Sequence, residues 1–302
     1  MSALLCGFGA ALSPEARGIL AVILAFLMFS VMGTVAKHLM GEMHPVQVVW
    51  ARYASQTLCI VVVLAPRLGS MVRTSHLSLQ LLRSLFLFGA TLLFFTGLQV
   101  MKFAEAAALL QTAPLIITAL AGLVLGEIVG IRRWIGVFVG LIGALIIIRP
   151  GLDVFQPAAL LPLSAACCLG AFQIFTRRFS GADGIGTTLL YSTGVGTLIA
   201  SVAVPFFWTP PSLIEAVMML SIGAVASLGH LSLVYGLGQA PASMLAPFNY
   251  TQLVWAAFFG FVFFGELPDA MTVLGATVVV GAGLYIWHRE RVRALGVASR
   301  RG

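Results

Sequence analysis

Charge is what this 302-residue chain has least of: 10 acidic and 17 basic side chains make up 9% of it, against 60% hydrophobic residues and a mean hydropathy of +1.05. That balance excludes an ordinary soluble globular domain. Cysteine is equally sparse. Cys6, Cys59, Cys167 and Cys168 include no metal-ligand spacing, and the last three sit inside apolar runs, so neither a disulfide framework nor a metal site follows. Also missing are His-Glu-x-x-His, Gly-x-Ser-x-Gly, an Asp-rich pair and a Walker lysine, the patterns a membrane-embedded enzyme would need. The chain is therefore expected to be no enzyme and to hold no cofactor. Met1 to Ala16 contains no lysine or arginine, so the basic start of a cleavable signal peptide is lacking too, and the first apolar run is expected to act as the targeting signal.

What the chain does have is apolar runs of about 20 residues, each enough for a hydrocarbon core ~30 Å thick. Ten can be placed, at about Gly18 to Val35, Val46 to Ala65, Leu82 to Val100, Ala104 to Leu125, Ile131 to Ile148, Pro157 to Phe175, Thr187 to Phe207, Leu213 to Gly238, Ala242 to Phe264 and Met271 to Trp287. Short connections marked by Gly, Pro and charge divide them, among them Gly41-Glu42, Pro66-Arg67, Pro150-Gly151, Gly181 to Gly186, Pro210-Pro211 and Gly265 to Asp269. The expected fold class is all-α integral membrane, with ten transmembrane helices in a lipid bilayer.

The ten runs repeat. A shift of 139 positions lays Gly97-Leu98 on Gly236-Leu237, Ala107 on Ala246, Thr112 on Thr251, Gly126-Glu127 on Gly265-Glu266 and Gly136 on Gly275; at 140, Lys37-His38 lies on Arg177-Arg178. A duplicated unit of five spans follows, at residues 18–149 and 157–287, with a basic tail at 288–302. Five is odd, so the second unit enters the membrane inverted, an arrangement many secondary transporters share, with substrate bound near the midplane. Arg17, Arg67, Arg73, Arg83, Arg132, Arg133, Arg177, Arg178 and the five tail arginines fall on one side, 13 of the 17 basic residues. By the positive-inside rule that side, with both termini, is cytoplasmic. The same rule and anionic lipid account for the net charge of +7, so no nucleic-acid partner is implied.

Few polar residues interrupt the runs, and these are the candidate site. Arg52 lies inside the second span, where a guanidinium is costly unless it faces a wet cavity or a partner; substrate binding or gating stands against snorkelling or a pair with Glu105. His230, mid-span in the eighth run, is the candidate for proton coupling, against a hydrogen bond to a neighbouring carbonyl. Asn249 and Gln252, three apart on one face and flanked by Tyr250, suit a polar organic ligand or serve as interhelical glue. Gln111 and Thr118 mark a further polar face in the fourth span, with Pro114 between them expected to kink the helix. Glu127 and Glu266 end spans at the interface and are expected to be structural. Gly122 with Gly126, and Gly136 with Gly140, allow close helix approach, within the bundle or in a homodimer.

In these features the chain resembles the EamA family of the drug/metabolite transporter superfamily. The likeness rests on the paired Gly-Glu breaks, each followed by a Gly-rich last span, on His44-Pro45 ahead of Arg52, and on Glu105 to Pro114; the second copy departs, with Leu253 where the proline would be. The resemblance implies a carrier of small metabolites that works by alternating access without ATP hydrolysis, in the cell inner membrane. Amino-acid-like or opine-type metallophore substrates, moved outward, are the expected case. Uptake of riboflavin or another vitamin or cofactor is the alternative, and a membrane channel is the rival of another class.

Overall fold

The computed structural model describes residues 13–72, 74, 76–124, 130–149, 157–178 and 185–298. The Gly126-Glu127 and Pro150-Gly151 breaks, most of the connection at 181–186, Arg73, and Arg300 and Arg301 lie outside the described residues.

Helix starts follow from local chemistry. Helix α1 (Pro14–Leu39) opens with proline in its first position and with Ser13 Oγ accepting from Ala16 N at 3.3 Å. At α2 (Pro45–Leu64) the proline recurs, with His44 Nδ1 accepting from Val46 N. Then come α3 (Leu77–Val100), α4 (Phe103–Leu110), α5 (Ala113–Val124), α6 (Ile131–Ile148), α7 (Leu160–Arg178) and α8 (Ile185–Ala203). A capping box of Ser212 and Glu215 begins α9 (Leu213–Gln239), and α10 (Thr251–Phe264) stops at Gly265, whose φ of 65° is the left-handed turn glycine permits. The last helix, α11 (Ala270–Ala298), carries regular structure well into the stretch expected to be a tail.

Nine helical stretches among the described residues are long and apolar enough to cross a membrane. The expected ninth span, Ala242 to Phe264, is not one of them. It is divided into a single turn, Ala242–Leu245, a 3₁₀ segment, Ala246–Tyr250, and the 14-residue α10. The fourth span is interrupted too, α4 ending at Leu110 and α5 starting at Ala113. Proline explains both interruptions. Pro114 has no N–H to return to the Leu110 carbonyl, and Pro247 sits at the head of the 3₁₀ segment, one of the first-turn positions proline tolerates. The prolines stand on opposite sides of their breaks. Even so, α-helix resumes next to Thr112 in one half and at its mate Thr251 in the other.

Packing between the halves shows the same duplication. Helix α1 packs on α9 and α3 on α7; α2 meets α9 and α8 meets α3; α2 lies on α8, and α6 on α11. Exchanging the halves turns each contact into another in that set. The closest approaches match as well. A Cβ on Gly18 would press on Ala240 and the Gly236 carbonyl, and in the mated interface a Cβ on Gly97 would press on Leu161 and Pro162. Thr57 and Thr197, 140 positions apart, meet hydroxyl to hydroxyl at 2.9 Å. Gly136 and Gly140 lie against Ile286 and against Leu115 and Ala282, so they serve packing within the bundle. Of the Gly122 and Gly126 pair, Gly126 lies outside the described residues.

At the end of the molecule where α6 finishes, Arg149 adopts a left-handed conformation with φ of 53° and donates to both oxygens of the Asp269 carboxylate. Asp269 also caps α11 by accepting from Thr272 N at 2.8 Å. The Arg149 hydrogen bond holds the Asp269 carboxyl well below the usual carboxylate range. A depressed folded-state pKa means that this stabilisation is complete above the ordinary carboxylate pKa of about 4 and is lost as pH falls below it. Because Asp269 is 43% exposed, the pair is worth no more than about 1 kcal/mol. Asp269→Asn keeps the cap and removes the charge, so its thermal stability is expected to fall slightly below wild type at pH 7 and to converge with it only as pH falls below the depressed Asp269 pKa.

Candidate substrate pathway

Two turns into α2, Arg52 is 5% exposed, deep among apolar side chains. Its Nε donates to Met32 Sδ at 3.3 Å and its Nη1 to Thr91 Oγ1 at 3.0 Å, while the guanidinium lies 4.7 Å from the centre of the Tyr53 ring. Tyr53 Oη reaches the same Thr91 hydroxyl at 2.9 Å. Among the described residues Arg52 has no carboxylate partner. Glu105, the pairing partner considered from the sequence, is instead 3.9 Å from Lys102. A guanidinium has five N–H donors, and Nη2 finds no protein acceptor among the described residues. A buried cation left without a counter-ion is the condition that a bound anion would relieve.

One turn beyond Arg52, Gln56 is 1% exposed, with Nε2 3.3 Å from His230 Nδ1 and Oε1 buried without a partner. The same His230 nitrogen is 2.9 Å from the Ala226 carbonyl, and its ring stands edge-on to Phe29 at 5.0 Å. Nδ1 can donate to Ala226 or accept from Gln56, not both, so the tautomer is set by which neighbour wins. These are the surroundings of a histidine built into a wall.

The second cluster lies where the two broken spans meet. Gln111, at the end of α4, donates through Nε2 to the Asn249 carbonyl at 3.2 Å, so the side chain of one break satisfies the backbone of the other. Gln252 is 9% exposed and its amide makes no hydrogen bond among the described residues. Asn249 is half-buried and contributes its carbonyl to this contact. Thr118 bonds back to the Pro114 carbonyl at 3.0 Å. Tyr250 reaches α11, where a Cβ on Gly283 would overlap its hydroxyl. No hydrogen bond among the described residues joins this cluster to Arg52 and His230.

The sequence reading passed over three participants. Thr91 is the hydroxyl that holds Arg52 and Tyr53. Gln56 was hidden among its apolar neighbours. Trp255, one turn on from Gln252, has a buried indole N–H without a partner and stacks on Phe259 at 6.5 Å. Buried in-span polarity without a mate in the other half would have flagged Gln56, since Gly196 stands at the equivalent position.

A duplicated bundle of apolar helices, two of its spans interrupted near a shared contact, with a buried Arg52 that has no carboxylate partner among the described residues, is the construction of a membrane carrier. The chain belongs to the EamA-like transporter family, whose model matches residues 16–149 and again 156–287. It is 26% identical over 281 residues to the S-adenosylmethionine uptake transporter of Rickettsia bellii (strain RML369-C), covering 93% of this chain and 97% of that one. To the pseudopaline exporter CntI of Pseudomonas aeruginosa (strain UCBPP-PA14) it is 27% identical over 272 residues, covering 88% and 94%. The riboflavin transporter of Vibrio cholerae serotype O1 is 30% identical over a shorter 189 residues, 62% of this chain and 63% of that one. A crystal structure at 19% identity matches 89% of the chain with a TM-score of 0.58, a likeness of fold alone.

Proposed function

We propose that this protein is a secondary transporter of the cell inner membrane that exports a small polar metabolite bearing a carboxylate, by alternating access between two inverted repeats at 18–149 and 157–287. The observation that carries the reading is Arg52, a buried guanidinium whose protein contacts are a thioether, a hydroxyl and an aromatic face. The substrate carboxylate completes it through Nη2. Arg52 is the binding cation, Thr91 and Tyr53 orient it, and Gln56 and Gln252 offer amide contacts to the rest of the ligand. Gln111 and Asn249 join the two broken spans. Both termini face the cytoplasm, where most basic residues then lie. The most fully covered of the three relatives is named for uptake of S-adenosylmethionine, which carries such a carboxylate, and another is named as an exporter, of pseudopaline.

Metabolite profiling of cells and medium in a deletion strain tests this. The expected result is accumulation of one carboxylate compound inside the cells, reversed by the restored gene; depletion inside, cured by external supply, would make the carrier an importer. Current steps in a single-channel recording would replace the carrier reading with a pore. His230 is assigned to the wall that positions Gln56, so His230→Gln is expected to keep the wild-type pH profile between about pH 5.5 and 7.5, the range in which an ordinary histidine titrates. A flattened profile would make His230 the proton-coupling group.

A further inference from the structure

At the end of the molecule where α1 and α3 finish and α4 begins, the two halves are strapped together by charge. Lys37 Nζ, 9% exposed, donates to Glu266 Oε1 at 2.6 Å and to the Met101 carbonyl at 2.6 Å, and lies 5.2 Å from the Phe264 ring centre. Glu266 Oε2 accepts from Phe103 N, the first N–H of α4, at 2.9 Å. Lys102, the residue just before α4, makes no side-chain cap there and instead donates to the Leu267 carbonyl at 3.1 Å. A carboxylate from the second half thus serves as the cap of a first-half helix, where the positive end of the helix dipole favours it.

Helix α4 is held at both of its ends by the opposite half. Glu266 grips the outer end, and Gln111, bonded to the Asn249 carbonyl, grips the inner one beside the break. Its eight residues form a short rigid rod between a charged clasp and a proline-made joint. The clasp is also of a kind that can be released. Lysine and glutamate regain hydration when parted at a membrane surface, whereas parted apolar side chains would lose contacts without compensation.

We propose that the Lys37–Glu266 ion pair on the α4 N-terminus is the gate on this face of the carrier, closed in this structure, and that its release lets α4 swing about the Gln111–Thr112 break. The assignment rests on the alternating-access reading and turns Glu266, expected from the sequence to be only structural, into a moving contact.

The test uses the full-length protein with its native cysteines replaced and a reporter at Ala106→Cys, one turn inside Phe103 and 0% exposed. Glu266→Gln keeps an acceptor for Phe103 N while removing the charge; Lys37→Met removes the ammonium and keeps the stem. With an impermeant thiol reagent on the latch face, both variants are expected to react roughly ten- to a hundredfold faster than the reporter alone, the range a hydrogen bond between charged groups commands. Bridging Lys37→Cys to Glu266→Cys with a short reducible bis-thiosulfonate should stop transport until reductant is added. If the reporter stays equally unreactive in both variants while they elute as folded protein, the gate is overturned, and equal high reactivity in all three overturns it too. Should one variant fail to fold, the other decides. Accessibility is read without substrate, so a gate that opens in a protein that moves no carboxylate would sink the proposed substrate and leave the gate standing.

Discussion

Arg52→Ala is expected to lower binding of a carboxylate substrate by a factor of roughly 10 to 150, the ~1.5 to 3 kcal/mol of a hydrogen bond to a charged group, while the protein still inserts and folds. Loss of function without loss of fold follows from what surrounds the side chain. Truncating one member of a buried ion pair strands its partner charge and destabilises severely. Arg52 strands none, because its neighbours are Met32 Sδ, the Thr91 hydroxyl and the Tyr53 ring. Arg52→Lys is expected to recover little, since an ammonium cannot reach Thr91 and a carboxylate together with the planar geometry of a guanidinium. Binding measured on purified protein, beside a thermal melt, checks both halves of the claim. Full activity in the lysine variant would reduce Arg52 to an interfacial charge, and an Arg52-independent substrate would point to a neutral planar compound of the riboflavin kind.

Gly223→Ala should have the opposite signature, loss of folded protein. A Cβ on Gly223 would lie 2.3 Å from Gln56 N and 2.6 Å from the Ser55 carbonyl carbon, both backbone atoms. No rotamer change can relieve that overlap, so α9 and α2 must separate along a contact between the two halves. Overpacking against side chains typically costs about 1 to 3 kcal/mol, and an obstruction by backbone belongs at or above the top of that range. The expected observation is a sharp fall in monodisperse protein after detergent extraction. Gly238→Ala, with nothing near the added methyl, is the matched control and should extract like wild type.

How far the architecture was legible depended on which residues carried it. Apolar length and the constant shift of Gly97, Thr112, Gly136 and Glu127 onto their mates were enough to read membrane helices and duplication, because burial in lipid constrains composition along the whole span. The ninth span could not be read as continuous or broken. Pro247 signals a boundary, but whether a proline at that depth kinks, starts or divides a helix depends on contacts distant in sequence, such as the Gln111 amide of the other half on the Asn249 carbonyl. Among candidate site residues, Arg52 stood out because charge is conspicuous in an apolar run. The i, i+3 spacing of Asn249 and Gln252 assumes a continuous α-helix, whereas residues 246–250, Tyr250 among them, form a 3₁₀ segment, with the Tyr250 hydroxyl beside Gly283. Thr91 was passed over because its importance lies in a partner 39 positions away, and the partner of Gln56 is 174 away, although its unmated polarity was a usable signal.

The meeting of Thr57 and Thr197 bears on how alike the two halves are. Thr197 donates its hydroxyl hydrogen to the Thr193 carbonyl at 2.9 Å, which leaves its oxygen to accept from Thr57. Two hydroxyls facing each other cannot both donate, so at this point the halves are unequal even though their sequences match. Among the described residues Thr57 makes no other side-chain hydrogen bond, so this bond runs one way, from the first half to the second. The crossing of α2 and α8 therefore tells the two halves apart by the direction of a single hydrogen bond.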